Sequence, residues 1–316
     1  MATWKKVLFV ITLITFIGLS VFFTFYSIAR DTFEFKEKTD IAGIEDLDGW
    51  VFYGFNGNTG TKEVHIDFVR DKNGNNPDES RPVVAVDDFT IVSDEYVEFL
   101  HIGKDVEYID PAAFYYCKKL KAVYVDEENE RFCAVDGILY SKDMKQLILH
   151  PIRNAEWLVE QGKAETKDTF VVPEGVEEIG SYSFYKNVDL VHLTFSSTLK
   201  SIGDMAFFGC NNMWSIRLPE GLETIGADAF SYCWSMSPVM YIPASVKFVD
   251  HHAFFGCTAL KVFYMGAESK EDIELGDAWL PKSVSKAVFY VHPKPEYGKT
   301  YEESLAEKER IDSQNS

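Results

Sequence analysis

Several residue types and motifs are scarce or missing in this chain of 316 residues, and each shortage excludes a class of protein. Five cysteines and seven histidines show no pairing of the kind that zinc sites use, so we expect neither a metal site nor a cofactor. An odd cysteine count also argues against a complete disulfide framework. Since Gly-x-Ser-x-Gly, His-Glu-x-x-His and a phosphate-binding glycine loop are absent, we expect that the chain is not an enzyme.

Basic residues are also few, with 31 Lys and Arg against 50 Asp and Glu and a formal net charge of −19. Beyond residue 30 the balance is 28 basic to 50 acidic residues, a net charge of −22, because Lys5, Lys6 and Arg30 are the only charged residues before that point. This negative charge repels the phosphate backbone of nucleic acids, so we do not expect a nucleic-acid partner. Its acidity also suits a soluble surface protein.

One long apolar run stands out, from Val7 to Ala29. Its 23 residues are enough for a helix that crosses a bilayer, which needs about 20. Lys5 and Lys6 precede the run, so the sequence predicts a cytoplasmic N-terminus and an exported body. The alternative is a cleaved signal peptide, since Ser27-Ile28-Ala29 resembles a cleavage site. The length of the run favours a retained signal anchor, because signal peptides have an apolar core of roughly 7–15 residues.

A repeat of about 23 residues dominates the rest of the chain. Each copy has a lead aliphatic residue, a Phe five residues later, a Cys or Asn three residues after that, and an apolar residue three residues further on. The copies are Ile179/Phe184/Asn187/Leu190, Ile202/Phe207/Cys210/Met213, Ile225/Phe230/Cys233/Met236, Val249/Phe254/Cys257/Leu260 and, earlier, Ile109/Phe114/Cys117/Leu120, with a weaker copy at Val86. The period lies within the range of leucine-rich repeats, which bury their apolar faces by stacking into a solenoid.

Alternating apolar pairs follow fourteen and sixteen residues after most of the lead residues; Met240/Ile242 is shifted by one inserted residue, and Phe170/Val172 leads into the Ile179 copy. Such alternation predicts a short strand with both residues facing inward. The pairs are Leu100/Ile102, Val123/Val125, Phe170/Val172, Leu193/Phe195, Ile216/Leu218, Met240/Ile242 and Phe263/Met265. The predicted fold is therefore a β-rich leucine-rich-repeat solenoid with a stacked parallel sheet, preceded by one N-terminal transmembrane helix.

The motif Ile-Gly-x-x-x-Phe-x-x-Cys, seen in Ile202 to Cys210 and Ile225 to Cys233, resembles the BspA-type leucine-rich repeats of bacterial surfaces and some protists. An inserted hairpin around Ser141 to Lys145 and a closing segment to Pro293 strengthen the resemblance. It implies a role in cell-surface binding, adhesion or host interaction, and no catalytic residues. Cys210, Cys233 and Cys257 are then expected to be buried core residues.

The resulting domain organisation has four parts. Residues 1–30 form a cytoplasmic stub and signal anchor, and residues 31–82 form a spacer and a capping hairpin made by Gly49 to Phe55 and Val64 to Val69. Residues 83–293 form the solenoid with the hairpin inserted at 133–151, and residues 294–316 form a polar tail. An acidic stretch at 71–79 has calcium-binding oxygens, but Asn76 and Pro82 break the EF-hand pattern, which favours a plain loop.

The outward side of the stacked strands is the predicted binding surface. Its residues lie between the inward pairs or beside them, and aromatic side chains there suit recognition. The candidate binding residues are Phe99, His101, Tyr124, Arg217, Tyr241 and Tyr264. We expect Tyr241, Tyr264 and Arg217 to form one exposed patch. The expected function is a membrane-anchored, extracytoplasmic surface that binds a cell-surface or extracellular protein or glycan; the alternative is a structural component of the cell envelope without a dedicated ligand.

Overall fold

The computed structural model describes residues 32–37, 49–56, 60–70, 77–88, 96–115, 117–214, 216–281, 284 and 288–290. The predicted membrane helix at 7–29 and the tail at 294–316 lie outside these ranges. Within them, none of the helical segments combines the length and apolar character that a bilayer span requires.

In the part of the chain that the structure describes, the regular secondary structure consists mainly of short strands. In the N-terminal part the strands are β1 (Thr32–Glu37), β2 (Trp50–Asn56), β3 (Glu63–Ile66), β4 (Phe68–Arg70), β5 (Pro77–Val86), β6 (Phe99–Ile102), β7 (Tyr108–Ile109) and β8 (Ala122–Val125). The inserted segment contains β9 (Phe132–Val135), β10 (Ile138–Ser141), β11 (Gln146–Leu149) and the helix α1 (Asn154–Glu160). The regular repeats contain β12 (Thr169–Val171), β13 (Glu178–Ile179), β14 (His192–Thr194), β15 (Ser201–Ile202), β16 (Thr224–Ile225), β17 (Val239–Ile242), β18 (Phe248–Val249), β19 (Val262–Met265), a 3-10 helix (Lys270–Asp272), β20 (Glu274–Leu275) and β21 (Val288–Tyr290).

Two sets of parallel strands run along the solenoid. The first set holds the lead residues, so that Ile179 pairs with Ile202, Ile202 with Ile225, and Ile225 with Val249. The second set lies at the other predicted inward pairs, in the groups β3-β6-β8, β12-β14 and β17-β19-β21, whereas Ile216 and Leu218 are buried as predicted but form no strand. The stacked parallel sheet is thus confirmed. The lead strands were missed, because a strand of two residues has one inward side chain and cannot show an alternating pattern.

The glycine after the lead residue lets adjacent turns approach closely. A Cβ atom on Gly203 would lie 2.6 Å from the backbone nitrogen of Ser181, and one on Gly226 would lie 2.8 Å from that of Asp204. The Gly203 N–H donates to the Ile179 carbonyl at 2.8 Å. Since a methyl group cannot fit at such distances, the Ile-Gly motif reflects the contact between turns.

The corners of the turns use left-handed backbone conformations at fixed repeat positions. Tyr182, Met205, Asp228 and His252, each three residues after a lead residue, have φ between 52° and 59°. Their N–H groups donate to carbonyls of the next turn, as in the 2.8 Å bond from Met205 to Ala227. A non-glycine residue rarely adopts this conformation, because it is higher in free energy than the right-handed one. The interturn hydrogen bonds offset that conformational free energy.

A ladder of phenylalanine rings fills the core of the regular repeats. The ring centroids of Phe184 and Phe207 are 4.9 Å apart, those of Phe207 and Phe230 are 5.1 Å apart, and those of Phe230 and Phe254 are 5.2 Å apart. All four side chains are completely buried. The prediction that the repeat phenylalanines lie inside adjacent turns is confirmed.

The repeat cysteines lie beside this ladder as buried thiols. The Cys210 Sγ–H donates to the Phe184 carbonyl at 3.1 Å, and Cys233 and Cys257 donate in the same way to Phe207 and Phe230. All five cysteines of the chain are free. The predicted core role of Cys210, Cys233 and Cys257 is therefore confirmed.

The inserted segment divides the core in two. Strand β10 pairs with β9 and with β11 in antiparallel fashion, which confirms the predicted hairpin around Ser141 to Lys145. Ile138, Tyr140 and Leu147 pack into the core of the regular repeats, whereas Phe132 and Leu139 pack into the N-terminal core. Successive residues of a strand point to opposite faces, so this three-stranded unit serves both cores.

The predicted capping hairpin is wrong. Strand β2 pairs with β1 and β5, and β3 pairs with β6, so the two segments belong to different sheets. Phe52 aligns with Val86 of β5, which aligns with Ile109 of β7. Residues 49–56 and 60–70 therefore belong to an irregular turn of the solenoid, because their strands pair with the two strand sets of the next turn. The predicted spacer also contains a strand, β1.

Candidate binding surfaces

The outward side of β3, β6 and β8 brings several of the predicted residues together. His65, His101 and Tyr124 occupy the same register on the three strands. The rings of His65 and His101 stack with centroids 4.1 Å apart, and Tyr124 stacks on His101 at 5.0 Å. Phe99 lies 6.1 Å from Tyr124. We call Glu63, His65, Phe99, His101 and Tyr124 the N-terminal outer face.

The exposure of this face varies from residue to residue. Tyr124 is 43% exposed, and Phe99, His65 and His101 are half-buried. Burial lowers the pKa of the His101 imidazole, with a smaller contribution from His65 beside it, whereas Glu63 and Asp67 raise it. Desolvation by burial therefore favours the neutral form of the His101 ring.

The prediction that Tyr241 and Tyr264 are exposed is wrong. Their relative exposures are 5% and 2%, and they pack with Val262 and Val239 in a small cluster separate from the main core. Burial raises the pKa of the Tyr241 hydroxyl, which lies close to Gly266. Both side chains do lie between the inward pairs, as predicted. Alternation identifies the side of a strand, but it does not show whether that side is covered.

Arg217 is exposed, as predicted. It stands between the buried Ile216 and Leu218, but the patch that it was expected to share with Tyr241 and Tyr264 does not form, because those two rings are buried. The six candidate residues therefore separate into three groups. Phe99, His101 and Tyr124 lie together, Arg217 is exposed, and the two buried tyrosines are part of the packing.

Two exposed tryptophans were missed by the sequence analysis. Trp214 and Trp234 are each 52% exposed, and Val188 in the preceding turn is 37% exposed. Interturn hydrogen bonds hold this segment: the Trp214 N–H donates to Val191 at 3.0 Å, and the Ser237 N–H donates to Trp214 at 2.6 Å. Val188 and Trp234 lie nine residues after their lead residues and Trp214 lies twelve after its own, so the three are in the same loop of successive turns; we call them the tryptophan corner. The sequence could have indicated their exposure, because each tryptophan directly follows a buried repeat residue, Met213 or Cys233, and so does not itself occupy a core position.

A strip of aromatic rings runs along another edge of the solenoid. It begins where the Tyr185 hydroxyl donates to that of Tyr115 at 2.6 Å, and their rings are 4.2 Å apart. Ring contacts of 5.2, 5.3 and 5.6 Å then link Tyr185, Phe208, Tyr232 and Phe255 in succession. Tyr232 is 38% exposed and Tyr185 is buried. Because most of these rings cover one another, the strip contributes mainly to packing between turns.

Among the described residues, two groups of side chains could hold a metal ion. In each, three ligand atoms lie within 4.8 Å of one another; the groups are Glu63, His65 and His101, and Asp228, His251 and His252. In the second group, His251 Nδ1 is already 2.8 Å from Asp250 Oδ1. The expectation of no metal site rested on spacing along the chain, which does not detect residues that meet across turns.

The cysteines offer no activated nucleophile. Burial raises the pKa of Cys210 to about 12 and raises that of Cys233 well above its ordinary value. Cys133 is half-buried, and desolvation raises the pKa of its thiol too. Since the thiolate is the reactive form, these shifts slow the reaction of all three thiols at neutral pH, and full burial protects Cys210 and Cys233 further.

Comparisons with known proteins agree with the repeat pattern. A family model described as "BspA type Leucine rich repeat region" matches six copies, over residues 90–134 and 165–273. The unmatched residues between them hold most of the inserted hairpin and all of α1. No curated protein matches the chain.

Several solved structures are similar to this chain. The crystal structure of the pneumococcal vaccine antigen PcpA is 25% identical over 71% of this chain and 48% of that one, with a TM-score of 0.49. A leucine rich cell surface protein from Faecalibacterium prausnitzii A2-165 is 21% identical over 62% and 51%, with a TM-score of 0.49. A T. pallidum leucine rich repeat protein is 20% identical over 80% and 90%, with a TM-score of 0.37. The chain spans about half the length of the first two.

Proposed function

We propose that this chain, which belongs to the BspA-type leucine-rich-repeat family, is a non-catalytic binding module displayed outside the cytoplasm, where it binds a cell-surface or extracellular protein or glycan. The observation that carries the proposal is the tryptophan corner. Trp214 and Trp234 each leave about half of their surface in water, in adjacent turns of a rigid solenoid.

Exposed tryptophan suits recognition for physical reasons. A tryptophan side chain offers a large apolar area with few rotatable bonds, so little conformational entropy is lost when a partner covers it. Tryptophan is also enriched among the residues that dominate binding energies. Interturn hydrogen bonds at Trp214 fix the backbone beneath the corner, so the two rings are presented by a preorganised surface.

The N-terminal outer face is a second surface of the same kind. Tyr124 is 43% exposed and lies beside Phe99 and His101. It is less apolar than the tryptophan corner, because Glu63 and two imidazoles are three of its five side chains. We therefore assign the main contact to the tryptophans and treat the outer face as a comparison surface.

Binding can be tested with the full chain in detergent, applied to a glycan array and to purified extracellular matrix proteins. The Trp214→Ala/Trp234→Ala variant should keep the parent's melting temperature and lose at least about 30-fold in affinity for the best ligand, since one interface tryptophan contributes about 2 kcal/mol or more. The matched comparison is Phe99→Ala/Tyr124→Ala, which should bind within about threefold of the parent.

Two results would contradict this assignment. If the outer-face variant loses affinity and the tryptophan variant does not, the binding surface is the N-terminal outer face. If the folded parent binds neither glycans nor matrix proteins, the binding function is wrong and a structural role in the envelope becomes the better account.

Membrane anchoring belongs to the same proposal. Residues 7–29 are apolar for long enough to span a bilayer, and Lys5 and Lys6 favour a cytoplasmic N-terminus. Protease added to intact cells should remove the repeats and leave a short anchored stub. If the mature protein instead begins at Arg30, the anchor does not exist and the protein is secreted.

A further inference from the structure

The strongest unassigned cluster is Glu63, His65 and His101 on the N-terminal outer face. Glu63 and His65 are two residues apart on β3, so they share one side of that strand. His101 lies directly opposite His65 on the parallel neighbour β6. Three side chains of metal-binding type therefore converge from two strands that pair in register.

The geometry is close to that of a coordination sphere. All three ligand atoms lie within 4.8 Å of one another, and His101 Nε2 is 3.6 Å from Glu63 Oε2. Zinc binds His nitrogen and carboxylate oxygen at about 2.0–2.2 Å, so tetrahedral ligands are roughly 3.3–3.5 Å apart. Side-chain rotations of little more than 1 Å would bring all three atoms to that spacing, with no change in the strands.

A second observation points to a ligand. His101 Nε2 is buried from water and has no hydrogen-bond partner. A buried polar nitrogen without a partner is unfavourable, and such exceptions call for an explanation. Its neighbour across the gap is the carboxylate of Glu63, and the stacked rings of His65 and Tyr124 flank it on either side. A cation between His101 and Glu63 would satisfy both groups.

We propose that Glu63, His65 and His101 form a binding site for a transition-metal ion of the Zn²⁺ type, with a fourth position open to solvent. Two imidazoles and one carboxylate match the ligand preference of Zn²⁺, whereas Ca²⁺ and Mg²⁺ prefer oxygen ligands. The bound ion would link β3 to β6, and so fasten the irregular first turn to the first turn that the family pattern covers.

Charge around the site favours a cation. Glu63 lies on β3 and Asp67 directly follows that strand, and the charge of both carboxylates favours a cation beside His101.

The test is a calorimetric Zn²⁺ titration of the full chain, expressed without a polyhistidine tag, purified in detergent and treated with a chelator. The parent should bind one equivalent at this site, and its melting temperature should rise with Zn²⁺ but not with Mg²⁺. The His65→Asn/His101→Asn variant should lose at least about tenfold in affinity and lose the thermal shift. Glu63→Gln, which keeps the size of the side chain, should weaken binding without unfolding the turn.

The matched control is His251→Asn/His252→Asn, which removes two histidines from the other possible metal group. This variant should bind Zn²⁺ at the outer face like the parent. The proposal is overturned if the parent binds no Zn²⁺, if the tight equivalent disappears with His251 and His252, or if folded Glu63→Gln and His65→Asn/His101→Asn both bind as the parent does. The last result would mean that the histidines and Tyr124 form a ring stack without a metal.

Discussion

The rings of Phe207 and Phe230 lie face to face across two turns, with centroids 5.1 Å apart and planes 5° from parallel. Phe207 also stacks on Phe184 in the turn before and meets the edge of Phe195. Each repeat phenylalanine therefore packs against the phenylalanine of the adjacent turn. Stability in such a chain depends on the interfaces between turns as much as on the turns themselves.

Replacing Phe207 with alanine should lower the free energy of unfolding by roughly 3–5 kcal/mol, because the change leaves a cavity between two rings that cannot close without moving the turns. The adjacent Phe208→Ala is the control, since Phe208 lies half-buried on the aromatic strip. Phe208→Ala should lower the free energy of unfolding by clearly less than Phe207→Ala does. Chemical denaturation of both variants gives the comparison, and equal losses would contradict the ladder.

The repeat thiols should be unreactive in the folded protein. Cys210, Cys233 and Cys257 are fully buried, and burial raises the pKa of Cys210 to about 12. Cys133 is half-buried and should be alkylated first. Mass spectrometry after a timed iodoacetamide pulse can order the sites. A native disulfide among the three buried residues, or their labelling before Cys133, would contradict the structure.

Tyr264 should now be tested as a packing residue. With 2% exposure against 43% for Tyr124, Tyr264→Ala should destabilise the protein by roughly 3 kcal/mol, whereas Tyr124→Ala should change stability by less than about 1 kcal/mol. Thermal or chemical denaturation distinguishes them. If Tyr264→Ala were as stable as the parent, the outer side of β19 would be open, as the sequence analysis expected.

His150 should make stability depend on pH. Its ring stacks on Phe184 with centroids 4.7 Å apart, and burial lowers its pKa to about 4. The unfolded imidazole takes up a proton near pH 6.5, so between pH 6.5 and 4 protonation favours the unfolded state. Above pH 6.5 His150 is neutral in both states and does not change the free energy of unfolding. At pH 5 protonation of the unfolded state lowers the free energy of unfolding by about 2 kcal/mol.

The variant that removes this dependence replaces the imidazole with a phenyl ring. Asn187 replaces the repeat cysteine, and its Nδ2 lies 3.3 Å from His150 Nδ1, so both should change together, as His150→Phe/Asn187→Cys. The fall in unfolding free energy from pH 7 to pH 5 should be about 2 kcal/mol smaller in this variant than in the parent. The exposed His192→Asn serves as the control and should leave the fall unchanged. Equal falls in all three proteins would rule out His150 as the cause.

Much of the fold could be predicted from the sequence because the repeat makes the same demand in every turn. The same residue types recur with fixed spacing, as at Ile202, Phe207 and Cys210. Such residues are buried when equivalent residues of adjacent turns pack against one another, which predicts a solenoid. The hairpin at Ser141 to Lys145 could be predicted for a local reason, since a polar turn between two apolar runs acts over a few residues. The irregular turn at 49–70 could not, because its spacing departs from the repeat.

The candidate sites divided along the same line. The sequence by itself determined the solenoid, the inward-facing pairs and the buried thiols, because alternation and periodicity can be read directly from the order of the residues. The tertiary structure decided that Tyr241 and Tyr264 are covered, that Trp214 and Trp234 are exposed, and that His65 meets His101 from 36 positions away. Coverage and proximity depend on which turns stack on which, and that information is not local in the sequence.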